Sequence, residues 1–384
     1  MSNAKQTIGK GPFRYDVVGS FLRPESVKKA RQEVEAGTLG KAELRKVEDE
    51  AIRDLVTKEI GVGLKAVTDG EFRRAYWHLD FLEALDGVER IKAEQWSVAF
   101  KGHQPKAATL KITGTIDFTD HPFLKDFAFL RDAVGNRAVP KITIPSPSML
   151  HLICCVREEN YEPIPQYKDQ DALFKDIAKA YRKAIHAFYE AGCRYLQLDD
   201  TSWGEFCDED KREAYAKRGF DLDRIAKEYV KVLNKVLAVK PKDMVITMHI
   251  CRGNFRSTWF SSGGYGPIAK TLLRTVLSMD SFSNTIRIGQ GTSIRSTISR
   301  TKRLFWALLP QNRQTLKIRK PSKDGSRKQA PWFPWISWPL ARNAALLPRK
   351  KAISSRKKTS GRSSPLSAAL PVKSGPMPIE FRLS

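Results

Sequence analysis

No run of about 18 consecutive apolar residues occurs in this chain, so no membrane-spanning helix is expected. The opening residues also lack the apolar stretch of a secretory signal, and a secreted product is not expected. Cysteine is scarce. Cys154, Cys155, Cys193, Cys207 and Cys251 form no disulfide-like framework, which reads as a reduced, cytoplasmic protein. Residues 271–384 lack more still: they hold no histidine and no cysteine, and only Asp280, Asp324 and Glu380 oppose 23 Lys+Arg, a balance of +20. Residues 1–270 carry 44 Lys+Arg and 39 Asp+Glu, a balance of +5. A net charge of +25 would by itself invite a nucleic-acid partner. Because the excess is confined to the tail, nucleic acid is not the expected partner of the whole. The chain reads instead as two unlike sequences joined.

What is present in the first 270 residues is an alternation of strands and helices. YDVVGSF (15–21) predicts a short strand ending in a Gly-Ser turn, and Pro24 opens a helix at Glu25–Glu35. A helix over 41–59 leads to a strand in LKAVTDGE (64–71), and residues 96–118 alternate like a hairpin set outside the main pattern. KITIPSP (141–147), RYLQLDD (194–200) and MVITMHIC (244–251) are further strands. They are separated by helices at 171–191, with Leu173, Ile177, Tyr181, Ile185 and Phe188 on one face, and at 222–238. Strands joined by helices pair in parallel. Five such units suit a (β/α)8 TIM barrel lacking its last three, whose chemistry would sit at the C-terminal strand ends. A doubly wound sheet is the alternative, but no Gly-rich phosphate loop follows the first strand.

Those strand ends carry Gly19-Ser20, Asp69-Gly70-Glu71, Ser146, Asp199-Asp200 and His249-Ile250-Cys251. His249 and Cys251 share a strand face, and imidazole and thiolate are both zinc ligands. An isolated H-x-C is equally a buried cysteine beside a satisfied histidine. Glu71, Asp199 and Asp200 suit recognition of an amino group or proton handling, and equally suit helix N-caps or loop charge. Ser20 offers a hydroxyl to a carboxylate or serves its turn. RRAYWHLDF (73–81) reads as core with a polar rim, its His78 structural.

DVVGSFLRP (16–24), TDGEFRR (68–74), LQLDDTSWGEF (196–206) and MHICRGNFRSTWFSSGGY (248–265) together resemble the cobalamin-independent methionine synthase family, in its short form similar to the C-terminal catalytic barrel. The resemblance covers about residues 13–270. It implies a 5-methyltetrahydropteroyltriglutamate–homocysteine S-methyltransferase-like activity, in which Zn2+ binds a homocysteine-like thiol and a methyl-folate-type donor supplies the methyl group. By motif it implies His249 and Cys251 as metal ligands and Gly19, Ser20, Glu71 and Asp199 as contacts to the amino acid. Asp199 is then the carboxylate nearest the chemistry, and Glu205 faces the folate. A related alkyl transferase acting on another small thiol is the alternative.

The resemblance also implies a Glu from the sixth strand and a Cys from the eighth as further zinc ligands, and the tail supplies neither. The genetic code offers a reason. In codons starting at the third nucleotide of each tail codon, Trp335-Ile336 must give Asp, Trp338-Pro339 Ala and Trp332-Phe333 Val. With permitted choices elsewhere, 332–352 reads VPLDQLALSPQCGFASTEEGN, its Cys straddling Asn343 and Ala344. Residues 277–286 read VDGFFLEYD, its Glu straddling Ser283 and Asn284, and 304–311 read VLGLITSK. The tail is therefore expected to be the family's last three units read out of frame, with the break near 270–276. The domains are then a partial methyltransferase barrel at 1–270 and a basic, irregular tail at 271–384. A catalytically inactive product with a basic tail, binding nucleic acid or anionic membrane, is the reading from a different class.

Overall fold

The computed structural model describes residues 11–13, 15–92, 108–253, 259–277, 285–289 and 305–307, with backbone only for 273–277 and the last two stretches. The chain divides into two compact units, Met1–Asn312 with Phe381–Ser384, and Arg313–Glu380; every described residue belongs to the first.

The main sheet is parallel. Its strands are β1 (Ala66–Val67), β4 (Val139–Pro145), β5 (Tyr195–Asp200), β6 (Val245–Ile250), β7 (Thr285–Gly289) and β8 (Phe305–Ala307), adjacent in that order. A separate antiparallel pair, β2 (Asp86–Ile91) and β3 (Thr109–Asp117), forms the excursion. The helices are α1 (Glu25–Glu35), α2 (Lys41–Gly61), α3 (Leu79–Leu82), α4 (Pro122–Val134), α5 (Ser148–His151), α6 (Gln170–Glu190), α7 (Ser202–Glu205), α8 (Glu209–Lys217), α9 (Leu222–Leu237) and α10 (Gly266–Leu277). A wide turn at Leu152–Val156 continues α5.

Side-chain caps explain where the long helices begin. Asp169 accepts the amide of Asp171 ahead of α6, and Asp221 accepts those of Asp223 and Arg224 ahead of α9. His121 Nδ1 accepts the Phe123 amide at 3.2 Å while Pro122 occupies the first turn of α4. The faces so started pack on the sheet's outer side, where Ile142, Ile144, Leu196, Leu198, Ile246, Met248 and Ile250 lie in one apolar cluster with Phe188, Tyr229 and Trp203. The alternate residues of the same strands are polar: Lys141 and Thr143, Gln197 and Asp199, Thr247 and His249. Register sets Thr143 beside Gln197, Gln197 beside Thr247, and Asp199 beside His249.

Four local expectations change. Residues 15–21 form no strand, because side chains rather than a neighbouring backbone take their carbonyls: Lys141 Nζ donates to Val17 O at 2.5 Å and Gln197 Nε2 to Val18 O at 2.7 Å. Pro24 is the N-cap of α1 rather than its first helical residue. The antiparallel excursion pairs 86–91 with 109–117; the expected first arm near 96 lies outside the described residues. In the tail, 285–289 and 305–307 add two parallel strands where irregular chain was expected, so β6 is not an edge. An open strand edge accepts any extended segment through backbone hydrogen bonds alone, and TIRIG is rich in β-branched residues. Among the described residues the sheet ends at β1 and β8.

Candidate active site

The turn after β1 is built to present a carboxylate. Thr68 Oγ1 accepts the Gly70 amide and Asp69 Oδ1 the Glu71 amide, both in place of ladder partners. Glu71 takes φ of 57°, a left-handed conformation that an L-residue holds only when its surroundings impose it. Here they do. Arg23 donates to the carbonyls of Glu71 and Arg74, and Arg31 to those of Phe72 and Arg74. The Glu71 side chain, buried, accepts from Ser20 Oγ at 2.7 Å on one oxygen and from Thr143 Oγ1 at 2.9 Å on the other. Arg74 Nη1 stands 3.4 Å from the same carboxylate, with its guanidinium over the Phe123 ring.

Asp199 ends β5 on the same polar face. Its Oδ1 accepts from Gln197 Nε2 at 2.6 Å. Burial, and after it the negative charge of Glu71, pushes the Asp199 carboxyl well above the usual carboxylate range. Arg74 offsets part of the Glu71 charge, yet burial and Glu71 still disfavour the charged form of Asp199. The arrangement is therefore suited to a positively charged group such as an ammonium.

Across the next ladder position His249 faces Asp199, and the Cys251 amide donates to Asp200 O at 2.8 Å. Both side chains are partly exposed. The Cys251 thiol is pushed up, first by desolvation, with Asp199 among the lesser causes. Gly204 lets this strand end pass close to α7, since a Cβ there would stand 2.3 Å from the Cys251 carbonyl oxygen. Arg252 ties the same corner together through the carbonyls of Gly204, Ser262 and Gly263.

The structure thus binds Ser20 to Glu71, with Gly19 preceding Ser20, places Asp199 within reach of the Glu71 charge, and sets His249 and Cys251 at the neighbouring strand end. Asp200 turns the other way. Fully buried, it accepts from Ser146, Ser148 and Ser202 hydroxyls and from the Ser202 and Trp203 amides, capping α7, the helix-cap alternative that the sequence left open. Glu205 is likewise fully buried. It pairs with Arg157 through one oxygen and accepts from Tyr215 OH at 2.7 Å on the other, so in this conformation both oxygens are engaged internally. His78 lies 4.4 Å from the Trp77 ring and is held neutral by burial, its pKa near 3. Lys141, Thr143 and Gln197 were missed. Their signal was available as the polar, alternating positions of strands whose other face, Asp200 apart, is apolar.

For a metal, His249 and Cys251 are two donors. No group of three or more His, Cys, Asp or Glu able to hold an ion occurs among the described residues. A catalytic zinc takes about three protein ligands. The described residues therefore do not make a complete zinc site.

Residues 13–259 match the family described as "Cobalamin-independent synthase, Catalytic domain". The chain belongs to that family. It is 51% identical over 265 residues to the uncharacterized protein YxjH of Bacillus subtilis, covering 69% of this chain and 68% of that protein. It is 48% identical over 264 residues to the YxjG protein of the same organism. Methionine synthase of Saccharolobus solfataricus is 24% identical over 249 residues. A solved structure, the putative vitamin-B12 independent methionine synthase from Listeria monocytogenes, superposes with a TM-score of 0.60 at 42% identity, covering 78% of this chain and 80% of that one. The α/β class with a parallel sheet is thus shared with family members. The family match stops short of the region in which the tail's composition departs. No helix among the described residues is long and apolar enough to cross a membrane.

Proposed function

We propose that this chain derives from a zinc-dependent methyltransferase that moves a methyl group from a methyl-folate-type donor to the thiol of homocysteine, and that it carries the amino-acid subsite but only half of the metal site. The convergence of Ser20, Glu71 and Asp199 beside the His249-x-Cys251 strand end supports the reading. Glu71 and Asp199 would take the substrate ammonium. Ser20, with the Gly19 turn, would meet its carboxylate once Ser20 Oγ leaves Glu71. The thiol would then lie toward His249 and Cys251, on the partly exposed side of the strand end.

Methyl transfer to sulfur requires the thiolate, since a free thiol is mostly protonated at neutral pH. Two donors do not supply a catalytic zinc, so turnover is not assigned to this chain. The missing Glu and Cys would be those encoded across Ser283/Asn284 and Asn343/Ala344 in the shifted frame.

Two proteins test the reading: the chain as it stands, and one whose tail is translated in the restored frame. The restored protein is expected to retain about one zinc per chain and to methylate homocysteine, and His249→Ala in it to abolish both. The present chain is expected to do neither. Stoichiometric zinc retention and turnover by the present chain would overturn the proposal, as would a restored protein without zinc.

A further inference from the structure

The polar face of the sheet continues below the candidate site, into a region where charge has no evident business. Lys141, at the start of the inward-facing row of β4, is fully buried, and Asp16, with which it pairs at 3.2 Å, has a fully buried side chain as well. A buried charge is tolerated only when it is paired and hydrogen-bonded. Lys141 Nζ donates to both Asp16 oxygens, to Val17 O and to Gln197 Oε1 at 2.7 Å. Asp16 Oδ2 also accepts from Tyr195 OH. Gln197 passes the chain on, its amide nitrogen donating to Val18 O and to Asp199 Oδ1. One ammonium and one amide thus hold three consecutive residues of the 16–18 segment and a carboxylate of the candidate site.

We infer that Lys141 and Gln197 are positioning residues for amino-acid recognition. They fasten the segment that ends in Gly19-Ser20 to the strands and hold the Asp199 carboxylate in one orientation, so that Ser20 and Asp199 meet the same ligand. The segment has no ladder of its own, and these side chains supply the hydrogen bonds that a strand pairing would otherwise make. Just beyond the fastened 16–18 stretch Ser20 reaches Glu71, and the Phe21 amide closes on Gly70 O at 3.1 Å. Gln197 suits the joint because an amide both accepts from the lysine and donates to the carboxylate, which neither a carboxylate nor an ammonium can do. The inference rests on the amino-acid reading of the site given above.

The full-length chain tests it with L-methionine and with 4-(methylthio)butanoate, which lacks the amino group, by calorimetry. Gln197→Met is expected to lower the preference for L-methionine over the des-amino compound by about tenfold. A merely structural role would weaken both alike and leave the ratio unchanged, which would overturn the inference. The second variant, Asp16→Asn with Lys141→Met, removes both buried charges together. In it the Phe21 amide is expected to exchange hydrogen about tenfold faster relative to amides of α6, and unchanged relative exchange would overturn the inference. Should the parent chain bind neither compound, the amino-acid reading fails while the exchange measurement still decides whether Lys141 and Asp16 fasten the segment.

Discussion

At the scale of single residues, the carboxylates divide by what they face. Asp200 is spent on a helix cap and Glu205 on an arginine, while Glu71 holds Ser20 and Asp199 lies within reach of the Glu71 charge. Glu59 is a further case. It lies on α2 beneath the strand that leads to Glu71, 2% exposed, and both of its oxygens accept the Thr68 amide. Burial raises its pKa from 4.5 to about 8. A group with a raised folded-state pKa binds more protons folded than unfolded, so its contribution to stability is fully present below about pH 4.5 and is lost as pH rises through about 8. Glu59→Gln cannot ionise. The variant is expected to gain stability relative to the parent as pH rises across that window, by as much as about 5 kcal/mol at the alkaline end. Denaturant unfolding of both proteins at pH 5 and pH 9 checks this, and a parallel pair of pH profiles would refute it.

At the scale of elements, legibility followed the source of each element's hydrogen bonds. Helices α1, α6 and α9 close their own ladders and bury one stripe, so periodicity located them within a residue or two. Strands β4, β5 and β6 were legible for the corresponding reason, an apolar row against the helices. Residues 15–21 were misread because their carbonyls are taken by Lys141 and Gln197, partners more than a hundred residues away. Helix α4 escaped notice because its start signal is a histidine followed by proline. Motif and strand-end position pointed to Ser20, Glu71, Asp199, His249 and Cys251, which the fold sets at adjacent strand ends. Nothing local told which of two adjacent aspartates turns to the polar face, since period two sends them to opposite faces and only the packing says which face is which. Gly204 makes the element-scale prediction. In an exposed helix Gly→Ala stabilises by about 1 kcal/mol. Here the added methyl meets the Cys251 carbonyl oxygen at 2.3 Å, so Gly204→Ala is expected to reverse that sign and lower the melting temperature. An unchanged or higher melting temperature would show that the strand end moves aside freely.

At the scale of the whole molecule, the question is how the parallel sheet is continued by a tail whose composition departs so sharply from that of the front. The front of the chain brings a mature core, with Phe81, Phe188, Trp203, Phe206 and Tyr181 all fully buried. It also brings a strand, β6, whose outer edge must pair with something. Residues 285–289 and 305–307 supply backbone there, but among the described residues the sheet then ends on a three-residue strand, and an open edge can recruit other chains. A tail with a balance of +20 adds self-repulsion to whatever it contacts. Backbone pairing alone contributes little without apolar faces to bury, because the net worth of a hydrogen bond in water is about 1 kcal/mol. The present chain is therefore expected to melt at a lower temperature, with a broader transition and more aggregation, than the protein translated in the restored frame. The comparison is clean because residues 1–270 are identical in both. Calorimetric scans of the two, with light scattering recorded alongside, read the difference directly. Equal melting temperatures and equal cooperativity would mean that the front of the chain folds without regard to what closes it, and would remove the structural reason for regarding the tail as foreign.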